Sequence, residues 1–230
     1  FDETLISSLV LADMEGVAPV ETTGQVRWFK RPTPGNTYLT SLDPSMGTGG
    51  DYAAIQVFEL PTFEQVAEWH HNQTPMNQQV RILQGINKHI HDTIMEKDSS
   101  ATPQIFYSME NNSIGEAALM RVMDIGEENI QGMFLSEPIR KGHRRKFRRG
   151  FNTTAKHKID ACTKFKELIE NDKMKINSQL LISELKDFVA SGMSYNAKPG
   201  QHDDLVSACL LMTRMMKVLA DFDPKIFEKW

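Results

Sequence analysis

The 230-residue chain has only two cysteines, Cys162 and Cys209. Two thiols cannot build a disulfide framework or a four-ligand structural zinc site. Both fall in helical patterns and are expected in the core, which suits a reducing, cytoplasmic setting. No apolar run reaches the roughly eighteen residues of a membrane-spanning helix. No signal-peptide pattern opens the chain. It starts on Phe1, not methionine, which points to a piece of a longer protein. No G-x-x-x-x-G-K-[ST] run occurs, so no P-loop is expected within these residues. The glycines at 47, 49 and 50 lead into a strand pattern, not into the helix that a dinucleotide-binding glycine loop requires.

Positive charge is scarce overall, with a formal net charge of −4. That balance by itself argues against a nucleic-acid partner. The distribution argues the other way. Nine bases and no acid lie between Pro138 and Ile159: Arg140, Lys141, Arg144, Arg145, Lys146, Arg148, Arg149, Lys156 and Lys158. The other 17 bases face 30 acids, a balance of −13. A basic strip on an acidic body gives the electrostatic field a direction. Charge runs are often only solvated loops, but the concentration here reads as contact with a phosphate backbone. Phe147 is the one aromatic in the run RKGHRRKFRRG, and nothing there suggests base reading.

What is present is a clear alternation of elements. Residues 1–35, broken by Pro19, Gly24, Pro32, Pro34 and Gly35, read as a linker segment, with a short helix over 2–11. Strands are expected at 37–42, 52–60 and 65–72. Apolar residues at Val80, Leu83, Ile86, Ile90 and Ile94 predict a helix over 75–97. A strand over 104–109 and a helix over 113–124 follow, the latter opened by a capping signal of Asn112-Ser113 with Glu116. A strand at 132–136 comes next, then a basic loop and a helix over 155–171. A short strand at 174–177 and helices over 178–191 and 203–220 complete the chain. Three antiparallel strands followed by helix–strand alternation predict an α/β domain over 36–230. Its mixed sheet would carry helices on both faces, in the ribonuclease H-like layout.

Three elements in this layout each carry an acid at one end. Asp43 closes the first strand, Glu110 closes the strand over 104–109, and Asp203-Asp204 open the last helix. Sites in open sheets gather at the ends of central strands. Carboxylates that converge repel unless a cation lies between them, and hard oxygen ligands suit Mg²⁺ or Mn²⁺. One or two such ions can clamp a phosphodiester for hydrolysis. Taken singly, each acid has a plain structural reading. Asp43 precedes Pro44 in a turn, and either Asp203 or Asp204 suits a helix cap. It is the combination that points to metal. Asp51, beyond the glycine turn, is open between a ligand and a solvated turn residue. His202 is a candidate to orient a ligand or touch phosphate. Trp69-His70-His71 reads as strand structure. His89 and His91 do not share a helix face. The methionine-rich last helix reads as core or as a docking face.

The runs SLDPSMGTGGDYAAIQVF, IFYSMENNSIGEAAL, GFNTTAKHKIDACTKFKELIENDKMKI and GQHDDLVSACLLM resemble the C-terminal nuclease domain of large terminase subunits of tailed bacteriophages. The resemblance covers about residues 37–215. It implies a metal-dependent endonuclease that cuts double-stranded viral DNA during genome packaging in the host cytoplasm. It also implies an ATPase domain upstream in the same protein, a portal and a small terminase subunit as partners, and homo-oligomers in the assembled motor. The family's catalytic acids map onto Asp43, Glu110 and Asp204, with Asp203 as helper or in the reverse order. Its second acid after the glycine turn maps onto Asp51. The basic loop has no positional match, so its role rests on charge. Two other classes remain at this level. One is a DNA-gripping or docking module that does not cut. The other is an actin-like ATPase, which would need a second copy of the glycine turn that the chain lacks.

Overall fold

The computed structural model describes residues 3–138 and 149–222. Helix α1 (Ser8–Asp13) leads to a small hairpin, β1 (Glu21–Thr23) and β2 (Val26–Trp28). Strands β3 (Thr37–Asp43), β4 (Ala53–Leu60) and β5 (Glu64–His71) follow. Next come α2 (Met76–Lys97), β6 (Gln104–Met109), α3 (Ser113–Ile125), β7 (Met133–Phe134), α4 (Ala155–Glu170) and α5 (Gln179–Asp187). A second hairpin, β8 (Phe188–Ser191) and β9 (Ser194–Ala197), precedes α6 (Asp204–Phe222).

Seven strands make one mixed sheet in the order β1-β2-β5-β4-β3-β6-β7. Strand β3 lies inside it, antiparallel to β4 and parallel to β6. Its alternation sorts its side chains between two cores. Tyr38 and Leu42 pack with Val80, Leu83, Ile86 and Ile90 of α2 and with Leu119 and Val122 of α3. Leu39 packs on the other face with Phe165 of α4, Leu185 of α5 and Leu205 and Met212 of α6. Two buried hydrogen bonds fix these helices to the strand. Thr40 Oγ1 donates to Asn87 Oδ1 of α2 at 2.8 Å, and Ser41 Oγ donates to the Ala208 carbonyl of α6 at 2.8 Å. Cys162 and Cys209 are free and buried in the α4–α6 core. The layered α/β architecture expected from the element order is the one observed.

The departures are local. The helix expected over 178–191 stops at Asp187, and residues 188–197 form the β8–β9 hairpin instead. Its turn runs through Gly192, whose φ of +59° lies in the left-handed region that favours glycine. The strand expected at 174–177 reduces to a single bridge between Glu64 and Lys175. The first helix is Ser8–Asp13, while Thr4 bridges to Val189 and Leu5, Ile6 and Leu11 enter the α4–α6 core. Strands β1 and β2 extend the sheet beyond β5, so much of the segment read as a linker is built into the domain. The run 139–148, with Arg140, Lys141, Arg144, Arg145, Lys146 and Arg148, lies outside the described residues.

Candidate metal centre

Parallel pairing of β3 with β6 decides which acids meet. Leu42 is in register with Met109, so the next residue of each strand, Asp43 and Glu110, leaves the sheet at the same edge. The Glu110 N–H donates to the Leu42 carbonyl at 3.2 Å, which continues the pairing up to the acids themselves. The Glu110 carboxyl group is close enough for its charge to act on Asp43. Asn112 caps α3 by accepting from the Gly115 N–H at 2.7 Å, and its amide donates to Glu110 Oε2 at 3.1 Å.

The start of α6 brings the other acids. The Asp203 carbonyl accepts from Ser207 N–H at 2.8 Å, and its Oδ2 accepts from the Ala197 N–H at 3.2 Å. Asp204, the first residue of the helix, is largely buried, and its Oδ2 has no hydrogen-bond partner. Burial, then the neighbouring Glu110 carboxylate, then the charges of Asp204 and Asp203, raise Asp43 well above the usual carboxylate range. Burial, with Asp203 and Asp51 adding and His202 opposing, raises Asp204 to about 6. Carboxylates gathered this closely repel one another. Such a cluster has a place for a cation. Asp51 is exposed on the β3–β4 loop but close enough for its charge to act on Asp204. His202 is about half exposed, with Nδ1 3.6 Å from Asp204 Oδ2.

Asp43 and Glu110 lie in a cleft of about 200 Å³ whose walls come from α4 and α6 and the turn before α4. Thr153, His157, Lys158, Ser207 and Arg214 line it. Arg214 is held firmly: it pairs with Glu137, donates to Thr153 Oγ1 and the Asn152 carbonyl at 3.0 Å each, and lies over the Phe151 ring. Lys158 donates to Asn196 Oδ1 at 2.8 Å and lies 3.9 Å from Asp203 Oδ2. Lys158 is one of the bases that the charge pattern singled out, and the other two among the described residues do not line the cleft. Lys156 is exposed on α4, and Arg149 pairs with Glu127 beside the Phe134 ring.

Arg214 was missed by sequence reasoning, and so were two residues beyond this cleft. Glu184 of α5 reaches the start of α6, with Oε2 accepting from the Val206 N–H at 3.1 Å. Burial comes first in raising it to about 9, with Asp204 and Asp203 adding to the shift. His70 of β5 lies 3.7 Å from the Glu184 carboxyl. Burial, then the charges of Arg27, His202 and His71, lower it to about 4. The available signal was Glu184 itself: it stands three residues after Leu181 on the buried face of α5, where an acid is out of place.

The fold has its counterpart in known proteins. Among solved structures, the large terminase nuclease of thermophilic phage G20c has the same fold. It matches with a TM-score of 0.66 at 17% identity, covering 91% of this chain and 96% of that one. The large terminase nuclease domain of Thermus phage P74-26 gives 0.61 at 17% identity, over 88% and 92% of the two chains. The human cytomegalovirus terminase nuclease domain gives 0.56 at 13% identity, over 91% and 94%. The family model described as "Terminase RNaseH-like domain" matches residues 40–215. That span takes in the β3 and β6 acids and the Asp203-Asp204 helix start, and the chain belongs to the terminase ribonuclease H-like domain family.

Proposed function

We propose that this chain is a divalent-metal-dependent endonuclease that cuts double-stranded viral DNA without strong sequence preference during genome packaging. The observation that carries the reading is the meeting of Asp43 and Glu110 from paired parallel strands beside the partnerless Asp204 oxygen. The donor set fits a hard divalent cation: carboxylate oxygens from three elements, with one oxygen of Asp204 left unsatisfied. Asp43, Glu110 and Asp204 would hold it, with Asp203 and Asp51 as helpers. The G20c nuclease is known with bound magnesium, and the cytomegalovirus domain has been soaked with manganese, which supports Mg²⁺ or Mn²⁺ as the ion. When bound, one or two such ions supply the positive charge that activates water and stabilises the phosphodiester oxygens.

The chain's own residues supply the rest. Arg214 and Lys158 are fixed cations on the cleft walls, suited to receive the DNA phosphates beside Asp43 and Glu110. Lys156, Arg149 and the bases at 140, 141, 144, 145, 146 and 148 would extend the grip along the backbone. His202, beside Asp204, would help to orient that carboxylate. Family membership supports an upstream ATPase domain in the same protein. It likewise supports a portal, a small terminase subunit and further copies of this chain as partners, in the host cytoplasm. No helix among the described residues is long and apolar enough to cross a membrane.

The test is cleavage of supercoiled plasmid by the purified chain. Nicked and linear products are expected with Mg²⁺ or Mn²⁺, none with EDTA, and none from Asp43→Asn. Intact plasmid in both metals, together with firm DNA binding, would make the chain a gripping module instead.

A further inference from the structure

Beside the Asp43–Glu110 pair lies a second group of donors. His70 Nε2, a Glu184 carboxyl oxygen and an Asp204 carboxyl oxygen all lie within 4.8 Å of one another. They come from three elements: β5, α5 and α6. The His70 Nε2–Glu184 Oε1 separation of 3.7 Å is too long for a hydrogen bond. Both His70 Nε2 and Asp204 Oδ2 are buried without a hydrogen-bond partner. Burying a polar atom in that state is unfavourable, and folds keep such atoms where a water or an ion completes the set.

The donors are also held in place. Tyr52 stacks on the His70 ring at 4.1 Å and meets the His202 ring edge-on at 4.8 Å. The Val206 N–H fixes the other oxygen of Glu184. A cation at about 2.0–2.1 Å from its ligands in a tetrahedral site keeps those ligands roughly 3.3–3.5 Å apart. The 3.7 Å between His70 and Glu184 needs a closure of a few tenths of an ångström, and the Asp204 oxygen, within 4.8 Å of both, needs at most about 1.5 Å.

We propose that His70, Glu184 and Asp204 form a second cation site, selective for a borderline divalent transition metal such as Zn²⁺ over Mg²⁺. The selectivity follows from the imidazole nitrogen, which suits Zn²⁺, whereas Mg²⁺ prefers an all-oxygen shell. Three protein ligands leave a fourth position for water, and His202 stands at the rim, 3.6 Å from the Asp204 oxygen. The site goes beyond the nuclease reading, since Asp43 and Glu110 take no part in it. Asp204 belongs to both clusters, so occupancy here would hold a carboxylate that cutting also requires.

The test uses Co²⁺ as a coloured stand-in for Zn²⁺, titrated into the metal-free 230-residue chain and followed by visible absorption. The Asp43→Asn/Glu110→Gln double variant should keep a Zn²⁺-displaceable band. Glu184→Gln and His70→Gln should each weaken Co²⁺ binding tenfold or more, with folding checked by metal-free melting. In ¹⁵N-histidine-labelled native chain, Zn²⁺ should shift the His70 Nε2 resonance, a readout that needs no variant. A band lost in the double variant but kept in Glu184→Gln would overturn the proposal. So would a His70 resonance unmoved by saturating Zn²⁺. Failure to cut plasmid, with the band intact in the double variant, would remove the nuclease reading and leave this site standing.

Discussion

Asp43 is pressed against Glu110 at the edge of the sheet, and the chain folds against that repulsion. An amide in place of the acid removes one charge from the cluster while keeping its shape. Asp43→Asn should therefore melt higher than wild type in metal-free buffer, by roughly 2–4 °C for a gain of about 1 kcal/mol. The metal response should reverse the ranking. At about 100 times its dissociation constant a cation stabilises the native chain by about 2.7 kcal/mol, and the variant should lose most of that gain. Melting curves with and without Mn²⁺ check both halves, and a variant that gains as much from Mn²⁺ as wild type would remove Asp43 from the ligands. A second residue, Glu64, acts on stability far from the cleft. Burial works against its charge, but hydrogen bonds from Lys175, Lys30 and Asn177 outweigh it and bring Glu64 to about 2. The folded value lies below the unfolded one. This stabilisation is thus complete above pH 4.5 and lost as pH falls from there toward 2. Its size is about 1 kcal/mol, because the lysines are solvent-screened. Denaturant melts of wild type and Glu64→Gln should differ by that amount near neutral pH and converge as the pH approaches 2. A constant gap would refute the linkage.

At the scale of elements, α3 does more than cover the sheet. Its Gly115 packs against the backbone of Glu110: a Cβ there would meet the Glu110 carbonyl oxygen at 1.8 Å. Alanine ordinarily stabilises a helix by about 1 kcal/mol over glycine. Here the clash is with backbone that cannot turn aside, so Gly115→Ala should destabilise by about 2 kcal/mol and lower plasmid cleavage as Glu110 is displaced. A variant that melts higher and cuts normally would show that Glu110 tolerates the shift. Element types were legible wherever periodicity was long and clean, as in α2 and β3. The α5 region was not, because residues 178–191 carry a helical pattern that continues past Asp187 into a strand, and only pairing with β9 decides it. His70 was illegible for a similar reason. Val57 pairs with Ala67 but Phe58 pairs with Gln65, so Val66 is a bulged extra residue in β5. Gln65 and Glu68, three apart, then share a face, and strict alternation cannot show which β5 side chains meet α5.

At the scale of the whole molecule, charge is divided between an acidic body and one basic stretch. If that stretch tracks DNA, replacing Arg144, Arg145, Arg148 and Arg149 by alanine should weaken binding equally for all sequences. It should also flatten the slope of log affinity against log salt by about 0.9 for each phosphate that is no longer neutralised. Filter binding or anisotropy across a salt series reads both, and an unchanged affinity would take the stretch off the DNA path.

The sequence by itself determined the alternation of elements, the two amphipathic helix sets that sandwich the sheet, and the acids at the ends of β3 and β6 and at the start of α6. These follow from local periodicity and from what bounds each element. Only the tertiary structure decided that residue 43 stands beside residue 110, through the parallel register of β3 and β6. It alone brought Glu184 and His70 to Asp204, because three elements distant in sequence pack at one corner. Register and packing are long-range choices of the folded chain, and no window of neighbouring residues contains them.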